Sequence, residues 1–520
     1  MRGVTVAVTE ATRDEESSQL FSSGAIPNQS GKRETALVAG GAALLAGLVF
    51  MLVRGGLTDD AYITIDFARN LAFHGHWGMI EQEFSNTATS PLNVLALAAL
   101  TFLLRQPVLA LGALFVLANA VLAVALHRSA RHSGFSRLTV ILGTLLVLTN
   151  PFLLSSVGLE MTLASALLGL LLLGATTHNR VLFGVAAGLL ALTRLDLGIF
   201  VVVLLLGRPA LWRRFWRWLV PACLVSLPWF GFSWFAFGSA VPDTLVLKQM
   251  QEAWGSWDFG NGLRLYYEVY PTATTAALVT AALGVLALPV WLVTRLLRNT
   301  AAHKLHPWAL MGVGGIAHFY AYTTLGVPPY HWYYVPSMLG LTMFLAGVIG
   351  ATAAVAARHR RRIPMLAATV AVVLGTAVFA NQARVAVETG TPWQRATITT
   401  NWATPSDYAR IGNLLEEEIG DATVRSPGEI GTLAYFCECS IVDGLSDRGI
   451  LTPDINERIA EAGPVTATLL RANYRNFTPV EPREVDYVLT RVMGRGSAPA
   501  WNIDSPWTEP SHLVLKKVDQ

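Results

Sequence analysis

Charged residues and cysteines are both scarce in this chain of 520 residues. Only 14% of the residues are charged, against roughly 25% in an average soluble domain, which excludes an ordinary soluble globule. Three cysteines without a CxxC motif exclude a disulfide-rich scaffold and a cysteine zinc site. Cys437 and Cys439 are expected to be unbridged strand residues, because a disulfide across one intervening residue is strained. No His, Cys, Asp or Glu cluster has metal-ligand spacing, so no metal site is predicted, and a divalent cation as cofactor is left open.

Long apolar runs fill much of the chain instead. Hydrophobic residues make up 53% of it, and the mean hydropathy is +0.45. Runs of about 18 or more apolar residues recur between Thr35 and Asn381, and each can cross a hydrocarbon core about 30 Å thick. The pattern predicts a polytopic α-helical membrane protein with about eleven transmembrane helices. They are expected near residues 36–54, 107–127, 138–157, 161–177, 181–193, 195–207, 218–237, 271–293, 307–325, 333–356 and 364–381.

The distribution of Lys and Arg predicts the orientation of these helices, since short loops rich in Lys and Arg stay in the cytoplasm. Such clusters occur at residues 128–137, 208–217, 295–304 and 358–362. Residues 1–34 are therefore expected to form a disordered tail in the cytoplasm. Residues 35–382 are expected to lie in the cell membrane, and residues 383–520 outside it. The segment Pro91–Leu104 is short for a span and is expected to be re-entrant or interfacial.

Residues 383–520 differ from the rest in charge. They carry 13 Lys and Arg against 19 Asp and Glu, a net charge of −6, whereas the whole chain has +3. Short alternating runs and a helix-like segment at 407–419 predict a soluble, extracytoplasmic mixed α/β domain. Two roles stay open for it: it binds a glycan acceptor, or it only covers the outer face.

Acidic residues segregate within the membrane region. All eleven Asp and Glu between Thr35 and Asn381 fall on the predicted outer side. Because acidic residues contribute little to orientation, an outward-facing polar site is the economical explanation. No internal repeat is found in this region, which argues against a secondary transporter.

The first outer loop, residues 55–91, contains the adjacent pair Asp59 and Asp60. Thr58 or Asp59 is placed to cap a helix, and Asp59 and Asp66 would then share one face of it. Two adjacent carboxylates disfavour double ionisation, so one of them can keep a raised pKa and act as a general base. A helix cap beside a solvated acid explains the same spacing and stays open.

Several motifs of the chain resemble those of one enzyme superfamily. The string Thr58-Asp59-Asp60-Ala61-Tyr62-Ile63, followed by Phe67-Ala68-Arg69-Asn70-Leu71, resembles the first extracytoplasmic loop of GT-C glycosyltransferases. Within that superfamily the chain is most similar to the terminal arabinofuranosyltransferases of mycobacterial cell-wall arabinan. Further similar motifs are Gly158-Leu159-Glu160, Leu192-Thr193-Arg194-Leu195-Asp196, Pro242-Asp243-Thr244-Leu245-Val246-Leu247-Lys248 and Gly428-Glu429-Ile430-Gly431. The chain departs from the family pattern at Leu195, where Pro is usual, and at Asp243, where Asn is usual.

The resemblance implies a GT-C fold and a membrane glycosyltransferase. Such an enzyme would move a sugar, arabinofuranose by the nearest likeness, from a polyprenyl-phosphate donor to a cell-envelope glycan acceptor. Asp59 and Asp60 are the expected catalytic residues, with Asp59 preferred as the general base. A mannosyl- or other hexosyltransferase of the same fold stays open, and so does a flippase or transporter of lipid-linked sugars. No basic-aromatic motif for nucleic acid occurs.

Residues outside the acidic pair are expected to hold the two substrates. Those expected to bind the donor are Arg194, Lys248, Glu160, Tyr330 and His331. Those expected to bind the acceptor are Asp66, Trp254 and Trp257. Arg194 and Lys248 are among the few cations on the predicted outer side, where a donor phosphate needs them. Each of these residues also has a structural alternative. Arg194 would form a local ion pair with Asp196, and Lys248 would be a snorkelling surface lysine. Glu160 would favour a helix N-terminus, and Tyr330 and His331 would belong to an interfacial aromatic belt.

Overall fold

The computed structural model describes residues 29–250, 254–359, 362–444 and 446–518. Most of the predicted N-terminal tail, residues 1–28, lies outside these ranges. Residues 29–34 already belong to the first helix, so that helix begins before the predicted boundary. At the other end of the membrane region, the last long helix continues to Glu388, beyond the predicted boundary at residue 382.

Helices make up the apolar part of the chain. In order they are α1 (Gln29–Val53), α2 (Asp59–His74), α3 (Pro91–Leu104), α4 (Pro107–Ser133), α5 (Leu138–Leu148), α6 (Pro151–Leu154), α7 (Met161–Thr177), α8 (Arg180–Thr193), α9 (Gly198–Gly207), α10 (Trp216–Ala236), α11 (Thr244–Met250), α12 (Gly262–Val269), α13 (Pro271–Leu296), α14 (Thr300–Lys304), α15 (His306–Leu325), α16 (Val335–His359) and α17 (Arg362–Glu388). Short 3-10 helices lie at Leu195–Leu197, Pro209–Leu211 and His331–Tyr334.

Six of the described helices are long and apolar enough to cross a membrane: α1, α4, α10, α13, α16 and α17. The prediction of a polytopic α-helical membrane protein is confirmed at this level. Each of the other five predicted spans also contains a helix, but these helices are shorter or less apolar. The count of eleven passes and their orientation therefore stay predictions.

The predicted span at 138–157 is interrupted, because the sequence there restarts a helix. α5 ends at Leu148, and the side chain of Asn150 accepts hydrogen bonds from the backbone N–H groups of Phe152 and Leu153 at 3.0 and 3.4 Å. An asparagine in this position caps the next helix, and Pro151 occupies the first turn, where its missing N–H costs nothing. A short helix, α6, therefore begins directly after the cap.

The C-terminal part of the chain combines helices with a mixed sheet. Its helices are α18 (Pro405–Ile419), α19 (Gly431–Cys437), α20 (Arg448–Glu461) and α21 (Pro464–Asn473). Its strands are β1 (Thr423–Arg425), β2 (Ser440–Val442), β3 (Tyr487–Met493), β4 (Trp501–Ser505) and β5 (Thr508–Lys517). The strand order is β2-β1-β3-β5-β4, parallel across the first three strands and antiparallel at β3-β5 and β5-β4.

A hydrophobic cluster joins this C-terminal domain to the first outer loop. It contains Phe67 and Trp77 of the loop together with Ile411 of α18, Leu433 of α19 and Ile441 of β2, all of them buried. An aromatic contact further along α2 adds to this packing: the ring centre of Tyr62 lies 5.3 Å from that of Tyr435 in α19. Burial of apolar surface is worth about 25 cal/mol per Å². The hydrophobic cluster therefore stabilises the packing of α19 against α2.

The expectation for Cys437 and Cys439 was wrong, because the two residues form a disulfide. They do not lie in a strand: Cys437 ends α19, and Cys439 precedes β2. Glu438 between them adopts a left-handed conformation with φ 51°, and the turn brings the two Cα atoms to 5.0 Å. That separation is close to the usual value for a disulfide, whereas the same two residues in an extended strand would lie about 6.6 Å apart, near the upper limit of the range.

Candidate active site

The acidic pair lies at the start of α2, but its two carboxylates have different surroundings. Asp59 is buried and points to the N-terminus of α19. Its Oδ2 accepts hydrogen bonds from the backbone N–H groups of Ile430 at 3.1 Å and Gly431 at 3.0 Å. Its Oδ1 accepts one from the N–H of Thr432 at 2.8 Å. Asp59 therefore satisfies the first free N–H groups of a helix 371 residues further along the chain.

This contact depends on a glycine. A Cβ atom at Gly431 would overlap the carbonyl oxygen of Asp59 and would lie 2.9 Å from a side-chain carbon of Ile63. Only glycine lets the two helices approach this closely. The Gly428–Gly431 motif thus has a structural explanation, since it allows α19 to dock on α2.

Asp60, in contrast, faces a cavity of about 890 Å³. The cavity lies between the first outer loop, the start of α7, α11 and the 3-10 helix at His331–Tyr334. Its lining includes Glu160, Lys248, Tyr330, Trp332 and Tyr333. Burial, followed by the neighbouring charge of Asp59, raises the pKa of Asp60 to about 7. A carboxylate with this pKa is suited to accept a proton near neutral pH.

A second cavity of about 1440 Å³ adjoins the first. Apolar side chains line much of it, among them Leu195, Phe230 and Leu325. Four residues line both cavities: Thr89, Thr244, Lys248 and Tyr333. The two cavities therefore share a boundary at these four side chains.

Lys248 is the cation at the boundary between the cavities. Its Nζ donates to Oγ1 of Thr89 at 3.3 Å and lies 5.5 Å from the centre of the Tyr333 ring. Within the part of the chain that the structure describes, it has no carboxylate within ion-pair distance. Burial, with the charge of Arg194 as the next cause, lowers the pKa of Lys248 to about 8. An anion placed here would stabilise its charge.

Arg194 has less capacity to hold a ligand, because its guanidinium is already occupied. Nη1 donates to Glu160 at 2.8 Å, Nε donates to Asp196 at 2.9 Å, and Nη2 donates to the hydroxyl of Tyr322. His318 also lies 3.1 Å from Asp196. The local ion pair to Asp196 is thus present, although Arg194 and Asp196 both line the second cavity. Glu160 joins this network to the first cavity.

His331 and Asp66 were also expected at the site, and both lie outside the two cavities. His331 is fully buried; its Nε2 lies 3.3 Å from the carbonyl oxygen of Ser155, and its ring packs against Phe152. Asp66 is fully buried where α2 meets α19, and Arg69 Nη2 lies 3.2 Å from it. Burial raises the pKa of Asp66 well above its ordinary value. Neither residue lines a cavity, and their expected roles toward donor and acceptor stay predictions.

The predicted aromatic residues are divided between the cavity and its surroundings. Tyr330 lines the first cavity, stacks on Trp332 at 4.6 Å and meets the edge of Trp254 at 4.9 Å. Trp254 also contacts Trp507 of the C-terminal domain, with ring centres 5.8 Å apart. Trp257 pairs with Trp254 through backbone hydrogen bonds. Trp254 thus contacts Tyr330, Trp257 contacts Trp254, and neither tryptophan lines the cavity.

Three residues of the site were not expected from the sequence. Thr89, Thr244 and Tyr333 line the first cavity together with Asp60. Thr89 lies in the first outer loop, Thr244 in the Pro242–Lys248 motif and Tyr333 three residues after Tyr330, and this proximity in sequence was the available signal. Glu429 was quoted only as part of a motif. It accepts hydrogen bonds from Tyr408 and from the backbone of Trp402, and burial raises its pKa to about 8.

Metal binding has little support in the described parts of the chain. No group of three or more His, Cys, Asp or Glu side chains there is arranged to hold a metal ion. Asp60 and Glu160 line the same cavity, and they are the two carboxylates that a cation there would meet. A divalent cation therefore stays an open expectation.

Comparison with known proteins assigns the fold. No family model matches the sequence, and no curated protein sequence matches it. Among solved structures, the chain is similar to ArnT from Cupriavidus metallidurans bound to undecaprenyl phosphate, with a TM-score of 0.56 and 11% identity over 92% of this chain and 97% of that one. It is also similar to an Archaeoglobus fulgidus oligosaccharyltransferase in the apo form, with a TM-score of 0.53 and 12% identity over 87% and 69% of the two chains.

A third similar structure is the arabinofuranosyltransferase AftD from mycobacteria, with a TM-score of 0.46 and 16% identity over 88% of this chain and 35% of that one. This likeness is too distant to bear on the sugar. The first two show that the chain shares its fold with ArnT and with the oligosaccharyltransferase. At these identities they show the fold alone.

Proposed function

We propose that the protein is a membrane glycosyltransferase that uses a polyprenyl-phosphate sugar. The observation that carries the proposal is the pair of adjoining cavities, one with a carboxylate of raised pKa and one with apolar side chains along much of its wall, with Lys248 lining both. A polyprenyl-phosphate sugar has this sequence of chemistry: a polar sugar, an anionic phosphate and an apolar chain. The shared fold with ArnT, solved with undecaprenyl phosphate, supports the same assignment.

In this proposal Asp60 is the general base. The acceptor hydroxyl attacks the anomeric carbon of the donor sugar, its proton passes to Asp60, and the bond from that carbon to the phosphate oxygen breaks. Polyprenyl phosphate leaves with the electron pair of that bond. General-base help of this kind is worth roughly 10²–10⁴ in rate. The burial of Asp59 under three backbone N–H groups favours Asp60 over Asp59, the reverse of the preference drawn from the sequence.

Lys248 is proposed to bind the donor phosphate. Arg194 is paired with Glu160 and Asp196. We expect Lys248→Met to lower kcat/KM for the donor, because a hydrogen bond to a charged group contributes about 1.5–3 kcal/mol, or roughly 10- to 150-fold. Steady-state kinetics with varied donor would measure the change. Arg264→Met is the matched control, since Arg264 is exposed in the same predicted outer loop and pairs with Glu268. Equal kinetics in the two variants would contradict the phosphate role.

The identity of the sugar rests on the resemblance of motifs, which favours arabinofuranose. Transfer from radiolabelled polyprenyl-phosphate arabinofuranose by the purified protein, compared with the mannose donor, tests both this assignment and the reaction class. Transfer from the arabinofuranose donor alone supports the proposal, and transfer from the mannose donor alone supports a hexosyltransferase. Movement of the intact lipid-linked sugar across a vesicle membrane without transfer would support a flippase and overturn the enzyme.

The C-terminal domain is proposed to lie outside the cell membrane and the N-terminus inside, from the odd number of predicted passes and the positive-inside rule. The disulfide between Cys437 and Cys439 supports this location, because disulfides persist in oxidising compartments. We expect protease added to intact spheroplasts to cleave within residues 383–520. Cleavage of that region only after the membrane is opened would contradict the orientation.

A further inference from the structure

The helix α21 of the C-terminal domain presents an apolar face that no described part of the chain covers. Val465 is 75% exposed and Leu469 is 66% exposed. Together with the exposed Ala472, they follow one another at intervals of four and three residues, so they form one stripe. The opposite face, with Ala467 and Leu470, is buried. The stripe therefore has an exposure unusual for aliphatic side chains of a domain surrounded by water.

Four hydrogen bonds attach α21 and the residues just after it to the end of the long apolar helix α10 and the loop that follows. Trp234 donates its Nε1–H to the carbonyl of Ala472 at 3.0 Å, and Asn476 donates to the carbonyl of Trp234 at 3.2 Å. The side chain of Asn473 accepts from the N–H groups of Ala240 and Val241 at 3.0 and 2.9 Å. The position of α21 relative to α10 is thus set by specific contacts.

The length of α10 places this attachment at the edge of the membrane. α10 is one of the six helices that can span, and little of its most apolar stretch is fully buried within the protein. From Arg217 near its start to Ala236 at its end is a rise of about 28 Å, close to the thickness of about 30 Å of a hydrocarbon core. Phe232 and Phe235, beside the attachment, are 54% and 76% exposed. The apolar stripe of α21 thus continues the lipid-facing surface of α10.

Two further features fit a lipid partner. An apolar cleft of about 860 Å³ lies between the end of α10 and α21, with Trp234, Val246 and Leu469 in its wall. Arg471 and Arg475, both exposed, lie on or just after α21, where they can meet phospholipid phosphates. An amphipathic helix with an apolar face and flanking arginines is typical of the membrane interface.

We propose that α21 lies in the plane of the membrane and inserts Val465 and Leu469 among the acyl chains of bulk phospholipid, beside the end of α10. Thr466 of α21 and Arg458 of α20 line the mouth of the larger cavity. The inserted helix therefore keeps the C-terminal domain at the membrane surface next to that cavity. The inference does not depend on which reaction the cavities support.

The test places a fluorescent label at Leu469 in the full-length protein in phospholipid vesicles. Leu469→Cys is made after Cys223→Ser, because Cys223 is the free cysteine of the described residues and the other two are bridged. Val518→Cys is the matched control, since Val518 is an exposed aliphatic residue after β5. Quenching is measured with phospholipid that carries a nitroxide near the top of its acyl chain, and separately with iodide in the water.

We expect the label at residue 469 to be quenched by the lipid nitroxide at least about twofold more than the label at residue 518, and less by iodide. Equal iodide quenching at both positions would overturn the proposal, because the stripe would then face water. Protection from both quenchers would also overturn it, in favour of a covering protein or a second copy of the chain. Lipid quenching that arises only after polyprenyl phosphate is added would show a donor contact and overturn the assignment to bulk phospholipid.

Discussion

Asp60→Asn is expected to lower turnover at saturating donor by at least about 10², because the amide cannot accept the acceptor proton. Donor binding and expression should stay close to those of the unmodified protein, since Asp60 is not among the buried contacts that join α2 to α19. The measurement is kcat of the purified protein with a lipid-linked donor. Asp421→Asn, at an exposed acid after α18, serves as the control and should leave kcat unchanged.

The dependence of kcat/KM on pH tests the role of Asp60 independently. Asp60 acts as a base only when deprotonated, so kcat/KM should rise with pH up to about 7, the pKa of Asp60. Lys248 binds phosphate when protonated, so kcat/KM should fall above about 8, the pKa of Lys248. Asp60→Asn should remove the rising limb from the residual activity. If Asp60→Asn kept the full kcat/KM and the same rise of kcat/KM with pH, the first outer loop would have no catalytic role.

Asp59→Asn is expected to act mainly on the docking of the C-terminal domain. The carboxylate accepts three backbone N–H groups, and leaving such a donor buried without a partner costs about 1–3 kcal/mol. The variant should unfold at a lower temperature and be cleaved faster by protease near α19. Loss of the negative charge of Asp59 should also lower the pKa of Asp60, so the rising limb of the pH profile moves to lower pH.

Gly431→Ala separates the two effects of Asp59. The added Cβ would overlap the carbonyl oxygen of Asp59, so the variant should lose stability in the same direction as Asp59→Asn. It keeps the charge of Asp59, and we therefore expect no charge-driven shift of the pH profile. An Asp59→Asn protein of unchanged stability that loses turnover as strongly as Asp60→Asn would restore Asp59 as the base.

The comparison of Asp59 with Asp60 also indicates where prediction from sequence ends. Adjacent residues on a helix point about 100° apart, so the pattern predicts that only one of them faces a given partner. Which one does so depends on α19, which is more than 370 residues away in sequence. The preference for Asp59 relied on its order in the motif, and the order carries no information about that distant helix.

The positions of the predicted ligands differ for the same reason. Lys248 and Tyr330 line the first cavity, as expected. His331, next to Tyr330, is buried instead: Tyr330 is the non-helical residue before the 3-10 helix, and His331 is the first residue within it. Proximity in sequence identified the segment that reaches the cavity, but not which of its side chains lines the cavity.

The sequence by itself determined the membrane class and the helical segments, because apolar run length and local composition set these properties, and it carries the motifs that resemble those of GT-C glycosyltransferases. Only the tertiary structure decided the disulfide, the ion pair between Arg194 and Glu160, and the different surroundings of Asp59 and Asp60. Each of the last two depends on contacts between segments far apart in the chain. The physical reason is that hydrogen bonds and burial act over a few ångströms in space, whereas sequence patterns report only on neighbours along the chain.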